Sequence, residues 1–240
     1  MREFKADLHI HTCLSPCAEL EMSPRNIAKE AKRKGLAIVG ICDHNSGENV
    51  PAVNKAAAFE GVEVLGGMEI TSKEEVHVLA LFDSEERLFG LQKIVYENLQ
   101  GTNDEKIYGD QVVANELDEV VDFNKKLLIG ATEISIDRLV ELIHEFDGLA
   151  IAAHIDREGF GIIGQLGFIP KGLALDAVEL ADPVNKDAMA LEEPFAFVSS
   201  SDAHTLERIG KRWTTFLMND VSIGELRKCL RGEDGRRAWM

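Results

Sequence analysis

An α/β fold in one domain, with a mainly parallel sheet and helices packed outside it, is what these 240 residues predict. Three observations point there. Apolar runs of strand length alternate with helix-like segments along most of the chain. The length suits a single α/β barrel-type domain and suffices to bury a large core. Histidines and carboxylates gather where the apolar runs stop, and active sites of such folds lie at the C-terminal ends of the strands.

The elements follow in order. Residues 4–9 read as a first strand, after which Ser23 and Pro24 supply an N-cap and an N1 proline for a helix that Gly35 closes. Residues 36–42 form a second buried strand, 50–59 a helix and 62–66 a third strand. The strand signature returns over 76–82, and 85–99 is helical. An amphipathic helix over 136–146 follows Ser135, and 149–153 is a strand with no charge in it. Later strands cover 177–180 and 196–199. The last helix opens with Ser222-Ile-Gly-Glu225, a capping box, and carries Leu226 and Leu230 on one face. Residues 101–134 break the rhythm, being polar, acidic and without clear periodicity. They read as an insertion, either a functional lid or a peripheral β-hairpin. There is no internal repeat and no low-complexity tract.

Composition narrows the function classes. The formal charge of −16 opposes adhesion to extended nucleic acid, which is driven by lysine and arginine releasing phosphate counterions. A small anionic substrate drawn to bound cations is compatible with it. No run of about 20 apolar residues exists to cross a bilayer, and the N-terminus lacks the apolar core of a signal peptide, so a soluble cytoplasmic protein without membrane partners is expected. Cys13, Cys17, Cys42 and Cys229 form no CxxC and no disulfide framework, which predicts reduced thiols.

Six of the seven histidines stand in short phrases at the ends of apolar runs: Asp7-Leu-His9-Ile-His11, Cys42-Asp43-His44, Val76-His77, Ala153-His154-Ile-Asp156 and Ser201-Asp202-Ala-His204. His9 and His11 are two apart on a strand and share a face, so both imidazoles reach one ion. Taken alone, such a pair also fits the surface or a satisfied core. Asp202 and His204 repeat the spacing near the other end of the chain. Glu69 follows the third strand after Gly66 and Gly67, which let backbone come close. All the phrases together read as one polynuclear metal centre assembled from strand tips. His144 falls outside them, beside Glu141 and Glu145 on the amphipathic helix, where a structural role is expected.

These residues resemble the motifs of the PHP (polymerase and histidinol phosphatase) superfamily of metal-dependent phosphoesterases. The first motif is similar to Asp7-Leu-His9-Ile-His11-Thr12 with Ser15, and the second to Gly40-Ile-Cys-Asp43-His44-Asn45. The third is similar to Ala153-His154 and the fourth to Ser201-Asp202-Ala-His204. The match runs from residue 7 to 204. It implies a distorted (β/α)7 barrel with the metal site at the C-terminal ends of the strands. Carried over position by position, it implies His9, His11, His44, Glu69, His77, His154, Asp202 and His204 as metal ligands, with Glu69 bridging two ions. It further implies two or three divalent ions, zinc, manganese or iron.

One departure stands out. Where the family usually has an aspartate after the serine of its first motif, this chain has Pro16. Cys17, Glu19 or Glu21 would replace it at a third ion beside His44 and His204, and sulfur would favour zinc over magnesium. The other reading is that this ion is weak or absent and Cys17 is a small loop residue. Arg157, three residues after His154, matches an arginine that contacts substrate phosphate in several members; its alternative is a surface ion pair with Asp156 or Glu158. Arg208 with Glu207 reads as a solvated face.

The resemblance implies hydrolysis of a phosphomonoester, or of a nucleotide or oligonucleotide phosphate, by in-line attack of a metal-activated hydroxide. His204 or Asp43 would manage a proton, or Asp43 would orient a histidine. Two further classes stay open: a non-catalytic, metal-stabilised binding module, and an amidohydrolase-like hydrolase of a non-phosphate bond. The absence of an attached polymerase argues against the first. The Asp202-Ala-His204 ending and Arg157 argue against the second.

Overall fold

In the computed structural model, which describes residues 1–189 and 191–240, the predicted alternation is present through the first half of the chain. It runs β1 (Arg2–Ile10), α1 (Pro24–Arg33), β2 (Ile38–Ile41), α2 (Val50–Glu60), β3 (Glu63–Thr71), β4 (His77–Phe82) and α3 (Glu85–Asn98). Residues 101–134 fold as a one-turn helix, α4 (Glu105–Tyr108), and an antiparallel hairpin of β5 (Val112–Ala114) and β6 (Val120–Phe123). Then come α5 (Ile136–Glu145), β7 (Leu149–Ala152), α6 (Ile162–Leu166), β8 (Ala177–Leu180) and β9 (Phe197–Ser199). The chain finishes with β10 (Thr214–Met218), α7 (Ile223–Arg231) and β11 (Arg237–Trp239).

Nine strands form one sheet in the order β11-β10-β1-β2-β3-β4-β7-β8-β9. Beyond β9 the chain returns to β1: His11 donates its backbone N–H to Ala203 O at 3.0 Å, and Ala203 donates to His9 O at 3.3 Å. Those bonds nearly close β1 through β9 into a distorted barrel, while β10 and β11 extend the sheet from the outer edge of β1. Pairing is mixed. β1, β2 and β3 are mutually parallel, as are β7, β8 and β9, but β4 runs antiparallel to both its neighbours. The link between β3 and β4, residues 72–76, is too short for a parallel crossover, which needs a dozen or more residues. Periodicity alone carries no such direction.

Side-chain parity explains how this barrel carries polar chemistry. Alternate residues of each strand face inward. Phe4, Ala6 and Leu8 of β1, Leu65 of β3, Leu79 and Leu81 of β4, Leu149 and Ile151 of β7 and Ala177 of β8 form one inner cluster. Val39, Ile41, Met68, Ile70, Val78 and Val178 belong to the outer cluster between sheet and helices. On the inner face, two positions on from Gly67 and four from Leu65, stands Glu69; two before Leu79 stands His77; two after Ala177 stands Glu179. Along β1 the pairing with β2 shifts register between Asp7 and Ile10. That bulge reverses the parity, so His9 faces inward although Leu8 does too, and Ile10 packs outward. Gly40 makes room for it, since a Cβ there would lie 2.3 Å from Leu8 O.

The apolar end of the barrel is sealed by β10 and α7, whose Phe216, Met218, Ile223 and Leu226 continue the inner cluster. Each such buried side chain contributes roughly 1.5–3 kcal/mol. Ser222 Oγ accepts from Glu225 N–H at 3.3 Å, but the Glu225 carboxylate turns to Asn219 N–H and Arg236, so the capping box closes on one side only. Ser23 precedes Pro24 without a side-chain cap. No helix among the described residues is long and apolar enough to cross a membrane.

The hairpin of the insertion is fastened beside the polar end of the barrel. Asn49 bridges it, donating to Val112 O at 3.0 Å and accepting from Ala114 N–H at 3.0 Å. Asn45, next to His44, donates to Leu128 O and Gly130 O at 2.7 and 2.8 Å.

Candidate metal centre

Glu69 is the centre of the site. It lies within β3, which runs to Thr71, and not after the strand as its sequence neighbours suggested. It is 1% exposed, and five imidazoles face its carboxylate. His77 Nδ1 stands 2.8 Å from Oε1, His154 Nε2 3.1 Å, and His9 Nε2 3.4 Å. Oε2 faces His44 Nδ1 at 3.1 Å and His11 Nε2 at 3.4 Å. Asp202 Oδ1 closes the other side of the His9–His11 pair, at 3.4 and 3.3 Å. The His204 ring stacks on His11 with centroids 4.1 Å apart. All eight expected ligands therefore meet in one pocket. Seven come from the C-terminal ends of strands or the turns just after them; His77 opens the antiparallel β4, whose start lies at that same end.

Burial alone would neutralise the charges here. It does so for His77, whose pKa falls to about 4, and for His204, which falls to about 3 with repulsion from His11 added. For Glu69 burial is outweighed by His77 and His9, and its carboxyl sits well below the usual range. Asp202 is held down against burial by His9 and His11. His11 is raised to about 9 against burial by Asp202 and Glu69, and His44 to about 9 by its bond with Cys17 and by Glu69. Two ionised carboxylates thus draw positive charge into the pocket. A divalent cation would supply that charge and leave the rings as neutral lone-pair donors.

The donor set fits such ions on geometry as well. Three triads, His9-His11-Asp202, His11-His44-His204 and His44-Glu69-His77, each offer ligand atoms within 4.8 Å of one another. His44 Nδ1 is buried and makes no aligned hydrogen bond although Glu69 Oε2 stands 3.1 Å away, so a cation held between them would satisfy both atoms.

Around the triads lies a layer of orienting bonds. Asp43 is fully buried; its carboxylate accepts from Thr12 N–H, Thr12 Oγ and Ser15 Oγ, each at 2.7 Å. Ser15 in turn meets His11 Nδ1 at 2.9 Å. Asp43 is thus linked to His11 through Ser15, an arrangement that suits the orienting one of its two expected roles. Glu179, which the sequence reading missed, meets His9 Nδ1 at 3.0 Å and accepts from His154 N–H at 3.2 Å. A single acid in the apolar stretch Ala177–Leu180 was the available signal. Asp7 accepts from Ser201 N–H and Gly210 N–H at 2.9 and 2.8 Å, which pins the turn bearing Asp202 and His204.

The outer candidates separate. Cys17 Sγ lies 3.3 Å from His44 Nε2, while Glu19 reaches the site only by donating its backbone N–H to His204 O at 2.9 Å. Glu19 and Glu21 are exposed. Arg157 pairs with neither Asp156 nor Glu158; its guanidinium donates to Asp202 Oδ2 at 2.5 Å with the side chain 36% exposed. His144 sits apart, 2.9 Å from Asp176. The loop carrying Arg157 holds two residues in the left-handed region, His154 at φ 30° and Phe160 at φ 58°. For non-glycine residues that strain costs on the order of 1–3 kcal/mol each.

The family model described as the PHP domain matches residues 7–165, and one described as PHP-associated matches 187–233, the stretch that contributes Asp202 and His204. An uncharacterized protein of Methanocaldococcus jannaschii is 39% identical over 95 residues, covering 36% of this chain and 55% of its own. An uncharacterized protein of Bacillus subtilis is 23% identical over 266 aligned positions, covering 99% of this chain and 64% of its own. The chain thus spans only part of these relatives. Among solved structures, a lesion-specific endonuclease of Pyrococcus furiosus superposes with a TM-score of 0.74 at 22% identity, over 99% of this chain and 58% of that one. At that identity the likeness establishes the barrel fold alone.

Proposed function

We propose, from the premise that this chain belongs to the PHP-domain family, that its pocket is the centre of a metal-dependent phosphoesterase. The substrate is a phosphomonoester, or the phosphate of a nucleotide or oligonucleotide end. The observation that carries this reading is the convergence of five imidazoles on the buried Glu69 carboxylate, with an arginine at the rim. Likeness to a lesion-specific endonuclease supports counting nucleic-acid phosphates among the substrates, and the charge of −16 favours a short end over an extended duplex.

Two or three divalent ions would be held by the three triads and His154, with Glu69 shared between ions. Bound, they supply Lewis acidity toward phosphate oxygens and lower the pKa of water to about 7. Cys17 beside His44 would favour zinc or another late transition metal in the triad that includes His204. The rest is the work of side chains. Arg157 swings its fork from Asp202 to two oxygens of the phosphate, fixing its orientation. Water adds its oxygen to phosphorus in line as the ester P–O bond breaks, and the departing oxygen takes up the proton that the attacking water releases, relayed by solvent. Asp43 and Ser15 hold His11 in register, and Glu179 does the same for His9.

The test is metal analysis followed by a phosphoester screen with manganese, zinc and iron, comparing wild type with Glu69→Ala and Arg157→Ala. Turnover by wild type, its loss in Glu69→Ala and a raised KM in Arg157→Ala are expected. No turnover of any phosphoester at full metal occupancy refutes the enzyme reading. An unchanged KM in Arg157→Ala removes the phosphate role of that residue.

A further inference from the structure

We propose that Phe160 is a stacking platform for the planar base of a nucleoside phosphate, so that the pocket selects nucleotides over sugar phosphates; this rests on the phosphoesterase reading. Phe160 is a bulky aromatic residue in the left-handed backbone region, at φ 58°, a conformation glycine adopts freely. Its backbone is used, since its carbonyl accepts the His77 N–H at 2.9 Å. That bond would serve equally with any side chain at position 160. The ring has a further placement: it lies parallel to the His77 imidazole, with centroids 4.4 Å apart and 15° between planes.

One face of the ring therefore covers His77, and the residue remains 42% exposed. The exposed part of the ring is apolar and flat. His77 Nδ1 in turn stands 2.8 Å from Glu69, so the ring is one imidazole removed from the centre of the pocket. The same loop carries Arg157, whose guanidinium reaches the Asp202 side of the pocket. Seven residues from His154 to Phe160 thus carry both the guanidinium that meets Asp202 and the exposed ring that stacks on His77. A phosphate between the metal triads and Arg157 directs its ester group outward, and a ribose is the spacer that carries a base from there onto the ring. Base–aromatic stacking tolerates any base, because each has a π-face. A sugar phosphate or a simple alkyl phosphate gains nothing from the ring.

Binding separates this inference from the reading it rests on. The probes are the 5′-methylenephosphonate analogues of adenosine and of ribose, whose P–C bond resists hydrolysis, titrated calorimetrically into manganese-loaded protein. Wild type is expected to bind the adenosine analogue about ten-fold more tightly, equivalent to about 1.4 kcal/mol. Phe160→Leu is expected to bring the two affinities within two-fold while leaving the ribose analogue and the metal content unchanged, and Phe160→Trp to keep the preference. Equal affinities in wild type overturn the stacking role and leave the phosphoesterase reading intact. A Phe160→Leu protein that weakens both analogues alike, or loses metal, makes the ring a cover for His77 and overturns the proposal. If wild type binds neither analogue, the stacking role falls, and the phosphoesterase reading is judged by the turnover screen.

Discussion

Replacing Glu179 by glutamine probes the layer of residues that orients the pocket. Glu179 is 1% exposed, and one of its oxygens serves both His9 Nδ1 at 3.0 Å and the His154 backbone N–H at 3.2 Å, while the other, Oε1, has no partner among the described residues. Glutamine keeps an oxygen at the shared position and puts its amide where Oε1 stood, so the fold and the backbone bond survive. The negative charge that raises the basicity of His9 and fixes its tautomer is lost. Outer-layer carboxylates of this kind typically contribute 10- to 100-fold to metal affinity, about 1.4–2.7 kcal/mol. Because glutamine retains the hydrogen bond, the lower end is expected: about a ten-fold weaker metal Kd, with Glu179→Ala nearer 100-fold. Competition against a chromogenic chelator measures it. A Kd for Glu179→Gln within two-fold of wild type, in a protein of unchanged melting temperature, refutes the assignment.

Two other changes test how the scaffold holds the site and the barrel end. Asp7→Asn turns an amide donor toward Ser201 N–H or Gly210 N–H; one buried donor is left unsatisfied, and a loss of about 1–3 kcal/mol should appear as a lower urea midpoint at unchanged slope. An unaltered midpoint would show that the turn bearing Asp202 does not depend on Asp7. The Glu225 carboxyl is held down to about 2, first by the Arg236 guanidinium and then by Asn219 N–H. Since its folded pKa is below the ordinary 4.5, its contribution to stability is present above pH 4.5 and is lost as pH falls toward 2. The melting-temperature gap between wild type and Glu225→Gln should therefore narrow across that window, and a gap independent of pH contradicts the pairing.

Much of the pocket was readable because its geometry is local. His9 and His11 share a phrase, as do Asp202 and His204, and the strand period carries each pair to one face. Arg157 was singled out by resemblance as a phosphate contact, but its partner Asp202 was not readable, since it lies 45 residues away and meets Arg157 only through the turn after β9. Glu179 was hidden for a similar reason: a lone acid in a short apolar strand means nothing until the fold brings His9 to it. The direction of β4 escaped periodicity, which is the same for parallel and antiparallel strands, although the short 72–76 link carried the signal. Thr214–Met218 and Arg237–Trp239 went unread as strands because their only ladder partners are β1 at the other end of the chain and each other. Ser23 looked like a cap, yet its hydroxyl makes no such bond, since Pro24 alone sets the helix start.

On the proposed function, Glu69 organises a polynuclear metal pocket. Its most direct test is the number of ions retained per chain after manganese or zinc loading and desalting, read by elemental analysis on wild type and on Glu69→Gln. At least two ions are expected in wild type and the loss of at least one in Glu69→Gln, with the fold preserved by circular dichroism. Wild type that retains no ion, or a Glu69→Gln protein that retains the full number, would contradict it.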